Sequence, residues 1–196
     1  LIGAGKFGSM FLSQVPTTPG LEVVIIADLI PDNAKKACKN VGWKDDLISN
    51  TKFVDSGIKA ITKSEVEVVV EATGHPSAGI LHAQTAFQNG KHIVMVNVEA
   101  DVLAGASLVK EAKSAGVVYS MAYGDQPALT AEIVDWARSN GFYVTAAGKG
   151  TKYLPEYHKS TPETVWNYYG LTEKEANEAG MNPKMFNSFL DGTKSS

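Results

Sequence analysis

A glycine turn stands almost at the start of the chain. Gly3-Ala4-Gly5-Lys6-Phe7-Gly8 has the spacing G-x-G-x-x-G, follows the apolar pair Leu1-Ile2, and leads into a segment of helical character to about Val15. Leu1-Ile2 reads as the tail of a strand. A strand that turns on such glycines straight into a helix is the opening of a βαβ unit. The next strand, Leu21-Glu-Val-Val-Ile-Ile-Ala27, is a continuous apolar run of the kind buried on both faces.

The alternation continues. Strands are expected over Val66–Glu71, His92–Val96, Val117–Tyr119 and Phe142–Ala147. Helices are expected from Pro31 to Val41, from Pro76 to Asn89, from Asp101 to Ala115, and from Asp125 or Pro127 to Asn140. Strands separated by helices of 10–15 residues specify an α/β fold with a doubly wound, mainly parallel sheet. Right-handed crossovers then place helices on both faces. Beyond Gly148 no period is sustained until helices are expected over 172–179 and 183–194.

Composition excludes several function classes. The chain has 196 residues, 44% of them hydrophobic, and a net charge of 18 − 21 = −3. It has no basic excess for nucleic acid and no apolar run long enough to span a bilayer, which needs about 20 residues. No charged leader followed by an apolar stretch is visible, so a cytoplasmic location is expected. Arg138 is the only arginine, so bidentate anion recognition is nearly absent. Cys38 is the only cysteine, which excludes an internal disulfide and a multi-cysteine metal site. The histidines lack metal-ligand spacing, and no metal is assigned.

The chemistry is expected at the carboxyl ends of the strands. Gly3 permits the tight turn, Gly5 lets backbone approach a pyrophosphate, and Gly8 lets helix and strand pack closely. Lys6 and Phe7 complete the turn, and the helix beginning there offers N–H groups and a partial positive charge to an anion. Asp28 lies 20 residues after Gly8 (28 − 8), where an acid accepts hydrogen bonds from an adenosine ribose. Together these mark a dinucleotide site. Asp28 points to NAD, with Lys35 and Lys36 one helical turn on as softening charges; it also suits a turn before Pro31. S-adenosylmethionine is the rival ligand, since its sites also join a glycine turn to an acid.

Glu71-Ala-Thr-Gly-His-Pro76 follows a strand and precedes a helix, so Thr73 and Gly74 are candidates to line the nicotinamide-side ribose, or form a plain turn. His75 is expected in solvent, and His82 and His92 within the fold. Asn97 and Glu99 can face the nicotinamide, and Asn97 equally suits a helix cap. Lys149 and Lys152 follow the last expected strand and can neutralise charge on a reacting oxygen or a phosphate. Lys184, Asn187, Asp191 and Lys194 share one helical face, beside the apolar pair Phe186 and Leu190.

These readings divide the chain into a Rossmann domain binding NAD(P), residues 1–148, and the start of a catalytic region, residues 149–196. The chain is expected to be a piece of a longer protein, cut at both ends. With only Leu1 and Ile2 of a central strand, it is expected to be poorly stable and inactive alone.

The blocks Met95–Asp101, Ala122–Pro127, Gly148–Pro155 and Met181–Lys194, with the glycine turn, Asp28 and Glu71–Gly74, resemble the homoserine-dehydrogenase-like oxidoreductases that carry a C-terminal SAF domain. That group includes the deoxyxylulose-phosphate reductoisomerase-like enzyme of an alternative isoprenoid route. The resemblance implies an NAD(P) cofactor, an inserted catalytic region and a homo-oligomer. It loosely matches the family's catalytic Asp and Lys to Asp191 and Lys194, and with Lys149 and Lys152 these are the candidate catalytic residues. Homoserine dehydrogenases carry a lysine after the asparagine, where this chain has Val98, and space their Asp and Lys by four rather than three. The expected function is hydride transfer between nicotinamide and a small polar, phosphorylated or unphosphorylated, hydroxy or oxo substrate. The alternative is a non-catalytic NAD(P)-binding sensor or assembly module.

Overall fold

The structure is a computed structural model of the chain and describes residues 1–123, 126–148, 154–178 and 180–191. The chain divides into two compact units, Leu1–Ala122 and Tyr123–Ser196. The boundary expected from sequence lies at residue 148, and the strand expected over Phe142–Ala147 is not formed. That run is aromatic and β-branched, yet Phe142 and Tyr143 are exposed and no other strand pairs with it among the described residues. Strand propensity without a ladder partner does not make a strand.

The first unit holds α1 (Lys6–Gln14), β1 (Ile25–Ala27), α2 (Pro31–Asn40), α3 (Asp45–Asn50), β2 (Lys52–Val54), α4 (Gly57–Ile61), β3 (Val68–Glu71), α5 (Pro76–Gln88), β4 (His92–Met95), α6 (Val98–Ala115) and β5 (Tyr119–Met121). β1 pairs with β2, β3 with β4 and β4 with β5, all parallel. Ile2 bridges Ala27 on one side and Glu71 on the other. Its amide donates to Val70 O at 2.8 Å, and its carbonyl accepts from Ala72 N at 2.8 Å. Ala27 N donates to Leu1 O at 2.9 Å. Leu1–Ile2 therefore sits at the centre of one sheet ordered β2, β1, Leu1–Ile2, β3, β4, β5. Strand order reverses on either side of Ile2, which is the topological switch point where α/β sheets bind ligands.

Pleating sends alternate residues to opposite faces. Ile25 and Ala27 join Val69, Ile93 and Met95 beneath α4, α5 and α6, with Ala83, Phe87 and Leu108 closing that core. Ile26 points the other way, to Leu12 of α1 and to Ala34 and Cys38 of α2. Trp43 completes this second core and donates its indole N–H to Leu12 O at 2.7 Å. Burial pushes the Cys38 thiol up to about 11.

α6 shows how sequence sets an element. Asn97 caps it, Glu99 and Asp101 lie in its first turn, Lys113 lies in its last, and Gly116 ends it at φ 70°. Asp101 turns inward to accept the Tyr119 hydroxyl at 2.6 Å. Burial, reinforced by that carboxylate, pushes the Tyr119 phenol up.

The second unit contains α7 (Gln126–Ser139), a 3₁₀ turn (Pro155–Lys159), α8 (Val165–Tyr169), α9 (Glu173–Glu178) and α10 (Pro183–Leu190). Its core is Val165, Trp166, Ala176 and Leu190, with Tyr157 and Phe186 packed against them. Among the described residues no helix is long and apolar enough to cross a membrane.

Candidate cofactor site at the sheet edge

The three glycines of the turn do different work. Gly3 has φ +90°, and a Cβ there would lie 2.8 Å from Ala72 O, so the first position is closed by strain and by the neighbouring strand. A Cβ at Gly8 would collide with Gly3 O. Around Gly5, in contrast, a Cβ would meet no atom within 4 Å. Gly5 is also the residue before α1, and it supplies no capping side chain. The N-terminus of a nine-residue helix thus faces open space over a residue that packing does not require to be glycine. A pyrophosphate fits such a cradle, because backbone N–H groups and the helix dipole favour an anion there. Lys6 and Phe7 follow on the first turn of α1, both exposed.

Asp28 follows β1 beside this turn. Its Oδ2 accepts from Ala4 N at 3.0 Å and its Oδ1 accepts from Ile30 N at 3.0 Å. Of the two roles considered for Asp28, these bonds show the turn. It closes its own turn and clamps the glycine loop. A carboxylate has about four acceptor positions, which leaves capacity for ribose hydroxyls.

The end of β3 is built on side chains. Glu71 is fully buried. Its Oε1 accepts from Thr73 Oγ1 at 2.6 Å and lies 3.1 Å from His82 Nδ1 of α5. Thr73 Oγ1 in turn accepts from Asn97 Nδ2 at 3.3 Å and from His75 N at 3.3 Å. Asn97 Nδ2 also donates to His75 O at 3.0 Å, and Asn97 Oδ1 accepts from Ala100 N at 3.1 Å. Thr73 and Asn97, both read from sequence as facing the cofactor, are thus joined to each other and to the loop. Gly74 is at φ +68° with open space around it. His82 is buried as expected, whereas His92 is exposed, its Nδ1 accepting from Val118 N at 2.9 Å. Sequence reasoning misses Glu71 as a candidate; an acid ending a strand of valines is the signal that could have found it.

Of the substrate-side candidates, Lys149, Lys152 and Lys194 lie outside the described residues. Asp191 closes α10. Its Oδ2 accepts from Asn187 Nδ2 at 2.8 Å, and its carbonyl lies 3.1 Å from His158 Nδ1. Asn187 is buried rather than on a solvated face, and its Oδ1 has no hydrogen-bond partner among the described residues. Among the described residues no group of three or more His, Cys, Asp or Glu is placed to hold a metal ion.

Comparison with known proteins gives two family matches. The family "Homoserine dehydrogenase, NAD binding domain" matches residues 3–122, and "Oxidoreductase DRL, catalytic domain" matches residues 124–196. No curated protein matches. Among solved structures, a myo-inositol dehydrogenase from Lactobacillus casei, in complex with NAD(H) and myo-inositol, is 19% identical with a TM-score of 0.53, over 69% of this chain and 40% of that one. The WlbA dehydrogenase from Bordetella pertussis, in complex with NADH and UDP-GlcNAcA, is 21% identical with a TM-score of 0.53, over 71% and 41%. A probable dehydrogenase from Thermotoga maritima is 13% identical with a TM-score of 0.55, over 97% and 54%. At these identities the likeness is one of fold, and the expected Rossmann-type α/β class is the observed one. The chain spans 40% to 54% of the length of these three structures.

Proposed function

The chain belongs to the family of the homoserine dehydrogenase NAD-binding domain, its cofactor is NAD(P), and from this premise we propose that it serves an oxidoreductase. The substrate is a small polar hydroxy or oxo compound, and the bound nicotinamide accepts or supplies the hydride. The observation that carries the reading is the open Gly5 cradle beside Asp28 at the switch point of the sheet.

The residues divide the work. Gly3, Gly5 and Gly8, with Lys6 and Phe7 on α1, hold the pyrophosphate. Asp28 accepts from the adenosine ribose and favours NAD over NADP by repelling a 2′-phosphate. The Thr73–Gly74 loop, with Asn97 hydrogen-bonded to it, forms the nicotinamide end. Lys149 or Lys152, with Asp191 and Lys194, forms the substrate pole, where an ammonium beside the reacting oxygen stabilises its developing charge. A pole with two lysines suits a phosphorylated substrate of the reductoisomerase-like kind better than homoserine, and Val98 in place of a lysine supports this. In the complete protein a SAF domain and a homo-oligomer would accompany this chain.

The test is to follow NAD(P)H absorbance in the full-length protein with homoserine beside four- and five-carbon phosphates. Turnover of a phosphate is expected. Tight NAD(P)H binding with no turnover of any of them would favour the sensor module instead.

A further inference from the structure

We propose that Glu71 and His82 are positioning residues for the nicotinamide end of the cofactor site. They fix the loop Ala72–His75 through Thr73, so that the loop's main chain, and not the side chains of Thr73 and Asn97, faces the cofactor. The inference rests on the cofactor reading above and goes beyond it.

The hydrogen-bond inventory leads there. A threonine hydroxyl has one proton and two acceptor positions. The Thr73 proton goes to Glu71 Oε1 at 2.6 Å, and its acceptor positions are taken by Asn97 Nδ2 at 3.3 Å and His75 N at 3.3 Å. The hydroxyl is saturated. The two Asn97 amide protons go to Thr73 Oγ1 and His75 O, and its oxygen takes Ala100 N. No Asn97 proton remains for a ribose hydroxyl. What the loop presents is main chain, opened further by Gly74 at φ +68° with space around it.

The anchor beneath is Glu71. A buried carboxylate persists only when paired and hydrogen-bonded. Thr73 N also donates to its Oε2 at 3.4 Å, and His82 supplies the partner from α5. An ionised carboxylate can only accept, so this contact is made by an imidazole protonated on Nδ1. Two glycines make room for this arrangement. A Cβ at Gly57 would lie 2.5 Å from His82 Nε2, and a Cβ at Gly79 would lie 2.6 Å from Asn97 Nδ2. The loop also abuts the glycine turn, since a Cβ at Gly3 would lie 2.8 Å from Ala72 O. A displaced loop would therefore be felt at the cofactor.

NADH and ADP separate positioning from folding, because ADP carries the adenosine and pyrophosphate without the nicotinamide-side ribose. Dissociation constants for both would be measured, with melting temperatures, for the unmodified protein, Glu71→Ala, Glu71→Gln and His82→Leu. The expected result is that Glu71→Ala weakens NADH about tenfold and leaves ADP within about twofold. Glu71→Gln should recover most of the loss, since its amide oxygen still accepts from Thr73. His82→Leu should weaken NADH by about threefold, with ADP again unchanged. Equal weakening of NADH and ADP in Glu71→Gln and His82→Leu would mean a purely structural role and overturn the proposal. Unchanged NADH affinity in all three would overturn it as well. An unmodified protein that binds neither nucleotide would instead remove the cofactor reading beneath it.

Discussion

Two stretches of the sheet edge, both at the switch point, are built on opposite principles. The glycine turn at residues 3–8 works by what is missing. No side chain fills the space at Gly5, and none can at Gly3 or Gly8. The loop after β3 works by what is present, since the side chains of Glu71, Thr73, His82 and Asn97 hold one another and the main chain of His75. An anion that must touch backbone needs an empty cradle. A loop that must keep one conformation against a ligand needs its polar groups satisfied from behind. The contrast separates residues whose replacement harms the fold from those whose replacement harms binding alone.

Gly8→Ala should have the largest effect. Its Cβ collides with Gly3 O, so the turn must move and the packing of α1 against the sheet with it. A loss of about 3 kcal/mol is expected, visible as a fall in melting temperature of about 6–12 °C together with loss of NADH binding. Retained binding at an unchanged melting temperature would break the comparison. Asn97→Ala comes next. It removes the cap of α6 and two hydrogen bonds inside the loop, and about 2 kcal/mol of stability is expected to go. Chemical denaturation measures it, and a change below about 0.5 kcal/mol would mean the loop is held some other way.

Asp28→Ala acts on the glycine turn, because it frees Ala4 N and takes away the proposed ribose acceptor. NAD affinity should fall about tenfold, the equivalent of one charge-assisted hydrogen bond, and NADP affinity should fall less. Equal losses for the two nucleotides would remove Asp28 from the ribose. The smallest effect concerns Cys38, buried in the second core of the first unit. The folded thiol titrates at about 11 against 9.0 for an ordinary cysteine, so the unfolded chain loses this proton first. Between those values the unfolded state binds fewer protons, and stability should fall as pH rises through that window. Below it, thiol reagents should label Cys38 only at the rate of opening. Fast labelling of the folded protein near neutral pH would contradict its burial.

Much of this is legible along the chain, for identifiable reasons. The glycine spacing and Asp28 are local signals, and the buried strands announce themselves as runs of valine and isoleucine. β2 is invisible in the sequence because Lys52–Val54 is three residues long and begins on an exposed lysine. α3 and α4, of six and five residues, are too short to show a period. Phe142–Ala147 errs the other way, carrying propensity without a partner strand. The Glu71–His82 pair joins residues 11 apart on different elements, and only the packing of α5 over β3 brings them together. Asn97 reads correctly as a possible cap. Its further bonds to Thr73 and His75 cannot be seen in the sequence, because they depend on how α6 meets the β3 loop.

The most direct test lies at the one glycine of the turn that packing leaves free. Gly5→Val places a side chain where no atom stands within 4 Å and where the pyrophosphate is assigned. The measurement is an NADH titration of the unmodified protein and of Gly5→Val, each beside its melting curve. The expected result is a melting temperature changed by no more than about 2 °C and an NADH affinity at least about a hundredfold weaker. Undiminished NADH affinity in a folded Gly5→Val protein would contradict the assignment of the glycine turn as the cofactor site.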